Sequence, residues 1–277
     1  PFTYFLAFSR LAPVQCVTWG HPDTTGIPAI DYFVSSAHLE LEGADLHYTE
    51  RLVRLAQLPT YYYRSDVPPG LKTRSDFSLE EKRAIYLCPQ SLFKLHPDFD
   101  EFVAGVLRAH PQGQAVFIEG HFKQFTELIM RRFRNTIPDV LERIRVLPRQ
   151  TNPDFISLLS VVDVILDPVK WSGGSTTYEA LSVGTPIVTM PSEFMRGRVT
   201  YGCYKQMGVM DCVASNREDY VALAVRLGTD PTYRAEVKAK ILAANAVLYE
   251  NGEAVRELER FFETAVGRAW SATVGRA

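Results

Sequence analysis

Between residues 84 and 214, short apolar runs alternate with amphipathic stretches, and few folds accept that pattern. The runs "AIYLCP" (84–89), "AVFIEG" (115–120), "RVLPR" (145–149), "VILDP" (164–168) and "PIVTMP" (186–191) read as strands. The stretches 96–111, 125–144, 152–163, 175–184 and 195–208 carry apolar residues at helical spacing. In the first of these, Pro97 and Asp98 suit a first turn. Pro138 interrupts the second, Asn152 is a candidate N-cap of the third with Pro153 behind it, and Gly184 closes the fourth. "MDCVA" (210–214) is a candidate last strand. Strands alternating with helices build an α/β fold, a parallel sheet with helices on both faces. An all-helical chain is excluded, because runs such as "PIVTMP" are too short and too bounded by proline.

The first 75 residues resemble the end of another α/β unit. Strands are expected in "APVQCVTWGHP" (12–22), "DYFVSS" (31–36) and "ERLVRLAQLP" (50–59). A polar segment with proline and glycine, 61–78, reads as the linker, and 216–270 as helices parted at Asp230-Pro231. Two α/β halves leave a cleft at the carboxyl ends of their strands, where open sheets of this class bind ligands.

The balance of 30 basic and 32 acidic residues gives a net charge of −2, which argues against a nucleic-acid surface. Cys16, Cys88, Cys203 and Cys212 show no metal-ligand spacing and read as free thiols of a reducing, cytoplasmic compartment. No structural zinc is expected, and the longest apolar stretch is too short to span a membrane. The chain opens with Pro1 and its first stretch reads as the inside of a folded element, so a piece of a longer protein is expected.

One segment raises a chemical question. In "DPVKWSGGSTTYEALSVGTPIVTMP" (167–191), Gly173 and Gly174 precede Ser175, Thr176 and Thr177 where a strand hands over to a helix. A tight turn with a hydroxyl cap accounts for this. So does a diphosphate, which would meet unpaired N–H groups, hydroxyl donors and the positive end of the helix dipole. Glu179, one turn in, is either a solvated helix residue or a carboxylate for a ribose diol. The loop after the first strand of the same domain carries Ser91 and Lys94, and a lysine there can offset charge on a leaving phosphate. A surface lysine is the plainer account in isolation, but two such loops in one sheet favour an anion.

The stretches "LAPVQCVTWGHPDTTGIPAIDYFVSS", "PQSLFKLHPDFD", "VDVILD", "GGSTTYEALSVGTPIVTMP", "RGRVTYGCYKQMGV" and "NREDYVALAVRLGTD" together resemble the catalytic region of the O-GlcNAc transferase/SPINDLY family of GT-B glycosyltransferases. The likeness is greatest to bacterial SPINDLY-like members, which often carry tetratricopeptide repeats upstream. The resemblance implies two Rossmann-like domains facing a cleft. The expected division is a partial acceptor-side domain (1–75), a nucleotide-sugar-binding domain (76–250) and a C-terminal helix (251–277). It implies transfer of a sugar, GlcNAc from UDP-GlcNAc, to Ser or Thr hydroxyls of a protein or peptide, with inversion and no metal or other cofactor. A different GT-B activity, or a nucleotide-binding piece inactive without an upstream segment, is the alternative.

Residue by residue, the resemblance places Lys94 at the departing diphosphate with Ser91 beside it. It places Gly173, Gly174, Ser175, Thr176 and Thr177 at the phosphates, Glu179 on the ribose and Gln150 at the base. Trp19, Gly20, Pro22 and Thr24 line the donor sugar. The animal enzymes carry a histidine where this chain has Gly174, and a basic residue where it has Asn152. His21 is a candidate base for the acceptor, or a binding residue that shapes the sugar pocket. Arg196 and Arg198 are candidates to meet an anion, but pairing with Glu193 is the plainer account. "DFD" (98–100) fits a D-x-D expression, but it falls at a helix start and is not read as a metal site.

Overall fold

The computed structural model describes residues 2–274. A short helix α1 (Phe2–Leu6) precedes β1 (Cys16–Thr18), β2 (Tyr32–Ser36) and β3 (Arg51–Leu55), which pair in parallel in that order. The second sheet takes β4 (Ile85–Cys88), β5 (Gln114–Ile118), β6 (Ile144–Leu147), β7 (Val164–Leu166) and β8 (Ile187–Val188). These are also parallel, in the order β6-β5-β4-β7-β8. Helices α2 (Phe99–Ala109), α3 (Lys123–Thr136), α4 (Asn152–Val161), α5 (Ser175–Ser182) and α6 (Val199–Met207) alternate with them. This is the arrangement that the apolar periodicity predicts. Every residue of the central strand β4 is buried, because helices cover both faces of a parallel sheet.

Two local expectations are corrected. Residues 210–214 form no strand; only a single bridge joins Thr189 to Val213, since β8 itself is just two residues long and offers no ladder to extend. The cap of α4 is Thr151, whose hydroxyl accepts the N–H of Asp154, so Asn152 is already the first helical residue. Pro97 and Asp98 likewise sit just ahead of α2. Gly184 does close α5 with a left-handed backbone (φ 78°), and Gly208 does the same for α6 (φ 71°).

The chain then runs through α7 (Arg217–Thr229) and α8 (Pro231–Ala244), with Asp230 capping α8 through the Tyr233 N–H. The last helix, α9 (Gly252–Val274), returns to the first sheet: Glu257 accepts the Gln57 N–H at 2.9 Å, and Phe261 meets Tyr32 edge-on. Residues 275–277 of the expected C-terminal helix lie outside the described residues. The two sheets are bound together elsewhere too. The guanidinium of the buried Arg198 donates to the Leu39 and Ser192 carbonyls at 2.7 and 2.9 Å, and Asp23 pairs with Arg196. Neither arginine pairs with Glu193, which instead lies 3.7 Å from His47. All four cysteines are unpaired. The aromatic and aliphatic residues at the start of the chain, Phe2, Phe5 and Leu6 among them, are exposed.

Candidate functional site

The carboxyl ends of β1, β4 and β7 converge on one cleft of about 500 Å³. From the first sheet come Trp19, Gly20 and Pro22, in the turn that follows β1. From the second come Ser91 and Lys94, after β4, and Gly173, Gly174, Ser175 and Thr176, after β7. Nine residues singled out in the sequence thus share one space, and Arg196 joins them.

The wall opposite the first sheet is the amino end of α5. The first N–H groups of a helix lack acceptors within it and carry its positive pole. Gly173 and Gly174 differ in what they allow. A Cβ at 173 would stand 2.4 Å from the Thr177 hydroxyl and 2.7 Å from Gln90 Nε2, so only glycine fits. A Cβ at 174 would meet nothing within 4 Å. The loop therefore lies tight against the sheet at one residue and open at the next.

Lys94 sits beside this helix end. Its ammonium donates to the Ser172 carbonyl at 3.1 Å and lies 5.5 Å from the centre of the Trp171 ring. Gln90 Oε1 is 3.5 Å away. Burial lowers the Lys94 pKa, and the nearby Asp167 carboxylate opposes that shift. Asp167 is itself buried, which pushes its pKa up to about 6. The Gly173 N–H (2.8 Å) and the Thr189 hydroxyl (2.8 Å) donate to its two oxygens and hold the rise in check. Gln90 donates to the Thr176 hydroxyl at 2.6 Å, which leaves the Thr176 proton free to be donated. Ser175 shares a 3.1 Å contact with the Tyr62 hydroxyl, and Tyr62 stacks on Tyr178.

A second hollow, of about 330 Å³, adjoins the cleft and shares Ser91 and Thr176 with it. Ile118 and Phe155 give it apolar walls, and Gln150 and Asn152 a polar end. It has the size and chemistry to take a flat, hydrogen-bonding ring.

Four candidates lie off the cleft. Thr177 is buried against Thr200, with their hydroxyls 2.9 Å apart, and supports the loop from beneath. Glu179 lines neither hollow, and its half-buried carboxyl has a pKa raised by burial. Thr24 donates to Glu50 at 2.6 Å and so fastens its turn to the first sheet. The His21 Nδ1 lies 2.7 Å from the Asp23 carbonyl. A carbonyl can only accept, so Nδ1 carries the proton and Nε2 is left as a base. His21 is not part of the cleft lining, although Gly20 and Pro22 on either side are.

Sequence reasoning missed Asp167, Gln90, Trp171 and Tyr62. For Asp167 a signal existed, a carboxylate closing a fully apolar strand in "VILDP". Tyr62 reaches Ser175 across 113 residues of chain, and no local pattern reports that.

Against known proteins, the model of glycosyl transferase family 41 matches residues 65–251. A tomato (Solanum lycopersicum) protein named as a probable UDP-N-acetylglucosamine–peptide N-acetylglucosaminyltransferase SPINDLY is 28% identical over 263 residues. That match takes in 92% of this chain and 28% of the tomato protein. The barley (Hordeum vulgare) protein of the same name is 30% identical over 239 residues, 84% of this chain and 25% of its own. Among solved structures, an O-GlcNAc transferase of Thermobaculum terrenum superposes with a TM-score of 0.81 at 28% identity. It covers 97% of this chain, which in turn covers 51% of that one. This chain therefore spans little more than a quarter of the length of the plant relatives.

Proposed function

The chain belongs to glycosyl transferase family 41, and from that premise we propose that its cleft transfers a sugar from a nucleoside diphosphate donor to a protein hydroxyl. The donor we assign is UDP-GlcNAc, the acceptor a Ser or Thr side chain. The observation that carries this reading is that Lys94 and the amino end of α5 line one cleft, with the Lys94 ammonium on the Ser172 carbonyl just ahead of that helix end. That is the arrangement a departing diphosphate requires.

In the reaction, the acceptor oxygen attacks the anomeric carbon from the face opposite the diphosphate. The bond from that carbon to the phosphate oxygen breaks, and its electron pair leaves with UDP. Charge on the diphosphate grows through the transition state, so donors fixed beforehand help most at that point. Lys94, the Thr176 and Ser175 hydroxyls and the backbone at Gly173–Gly174 are those donors in this reading. The adjoining hollow takes the uracil ring against Phe155 and Ile118, with Gln150 at its edge. Trp19, Gly20 and Pro22 close over the sugar. The ribose is left to Glu179 on family resemblance alone, since its carboxyl lines neither hollow. Inversion follows from a single displacement, with the acceptor proton passing to a base for which His21 Nε2 is the candidate within this chain.

No metal is assigned a part. The charge it would offset is met by Lys94 and the helix, and no group of three His, Cys, Asp or Glu among the described residues is placed to hold one. No helix among the described residues is long and apolar enough to cross a membrane, and with four unpaired thiols we assign the protein to the cytoplasm.

A donor panel tests the assignment. UDP-GlcNAc, UDP-glucose and GDP-fucose are each offered with acceptor proteins, and the added mass is read by mass spectrometry. The expected outcome is an N-acetylhexosamine adduct on Ser or Thr. A hexose or deoxyhexose adduct would reassign the donor, and no adduct from any of the three would contradict transfer by this chain.

A further inference from the structure

At the amino ends of β7 and β8, the opposite edge of the sheet from the cleft, lies a separate hollow of about 310 Å³. Arg74, Arg234 and Lys238 line it, with Asp163 as the one carboxylate among its lining residues. That carboxylate is buried and already fully engaged. Its Oδ2 accepts from Arg74 (2.7 Å) and from the Ile85 N–H (2.8 Å), and its Oδ1 faces Arg234 at 3.1 Å. Arg74 places three further N–H groups on the Val161, Glu81 and Arg83 carbonyls.

Lys238 is different. Its stem lies over Gly184, where an added Cβ would come within 3.0 Å of Lys238 Cγ. Among the described residues its ammonium has no hydrogen bond and no ion pair. It is half-buried beside the guanidinium of Arg234, and both burial and that neighbour disfavour its charge. Arg234 uses one N–H on the Leu227 carbonyl and one on Asp163, so further donors remain. Two cations therefore share a hollow in which, among the described residues, their remaining N–H groups make no hydrogen bond. Such a pair is destabilising alone and is satisfied by an anion with several oxygens.

We propose that this hollow is a binding site for a phosphate group, held by Lys238 and Arg234. A phosphate has three or more acceptor oxygens for these donors, and the volume leaves room for a small organic group on the fourth. The site is independent of the proposed transfer reaction, since it shares no residue with the cleft.

Calorimetry with inorganic phosphate and with glycerol phosphate, at low and constant ionic strength, tests the proposal. The proteins compared are the wild type, Lys238→Gln, Lys238→Arg and the cleft variant Lys94→Met. Saturable millimolar binding is expected in the wild type, kept in Lys94→Met and Lys238→Arg. In Lys238→Gln, loss of one charge-assisted contact should weaken it about tenfold or more. Tighter binding of glycerol phosphate would identify an esterified ligand, and equal binding free phosphate. Lys238→Gln keeps the stem over Gly184 and removes a like charge beside Arg234, so it should melt no lower than the wild type when no phosphate is present. Absence of saturable binding, or binding lost in Lys94→Met but kept in Lys238→Gln, would overturn the proposal.

Discussion

The backbone N–H of Gly173 donates to the buried Asp167 carboxylate at 2.8 Å, so the loop that faces the cleft is fastened from behind by a group that never reaches it. Burial raises the Asp167 pKa from 3.8 to about 6. Between those two values the folded protein holds a proton that the unfolded chain releases, so stability must fall as pH rises through that window. Asp167→Asn keeps an acceptor for Gly173 and has no charge to desolvate. Melting temperatures followed from pH 4 to 7 should decline in the wild type up to about 6 and lose that component in the variant. Identical slopes would remove Asp167 from this role.

Lys94→Ala should slow turnover more than it weakens UDP. The ammonium is aimed at charge that grows only as the diphosphate leaves, so the ground state gains less from it. The expected loss is about a hundredfold or more in kcat, with UDP affinity changed far less. Steady-state rates and UDP calorimetry on the folded variant separate the two effects. An unchanged rate would leave Lys94 only its structural bond to the Ser172 carbonyl.

Neighbouring glycines should respond in opposite ways. At 173 a methyl group collides with Thr177 and Gln90, both packed in place, and Gly173→Ala should cost about 1–3 kcal/mol of stability and loosen the loop. At 174 the space ahead is open, so Gly174→Ala and even Gly174→His should fold with little loss. Urea unfolding of the three variants checks the order. Equal effects at the two positions would contradict the packing described.

Arg198 joins the two sheets through the Leu39 and Ser192 carbonyls, and its side chain is buried. Arg198→Met fills much of the same space but leaves two carbonyl oxygens without their donor. Destabilisation of about 2 kcal/mol or more is expected, together with weaker closure of the cleft. Denaturant unfolding with UDP present and absent reads both. A variant as stable as the wild type would make the contact incidental.

Much of this architecture is legible in the sequence because buried parallel strands leave a strong local trace. The strands within "AIYLCP" and "VILDP", Ile85–Cys88 and Val164–Leu166, carry no charged residue, and their ends fix where the loops carrying Lys94 and Gly173 must begin. "MDCVA" misleads because an apolar run marks burial and not pairing; Cys212 and Ala214 are buried, with a single bridge at Val213. What the sequence does not carry is contact across distance. Asp23 meeting Arg196, Tyr62 meeting Ser175 and Arg198 reaching Leu39 all arise where the two sheets come together. Glutamine at 90 has no motif of its own, and its part appears only when β4 and β7 set it beside Thr176.

The central claim is that the cleft holds a nucleoside diphosphate against Lys94 and the amino end of α5, with no divalent ion. Calorimetry of UDP binding in the presence of chelator, repeated with magnesium or manganese added, tests it most directly. The account predicts saturable binding in chelator, little changed by either metal. Binding that appears only when the metal is supplied, or no binding under either condition, would contradict it.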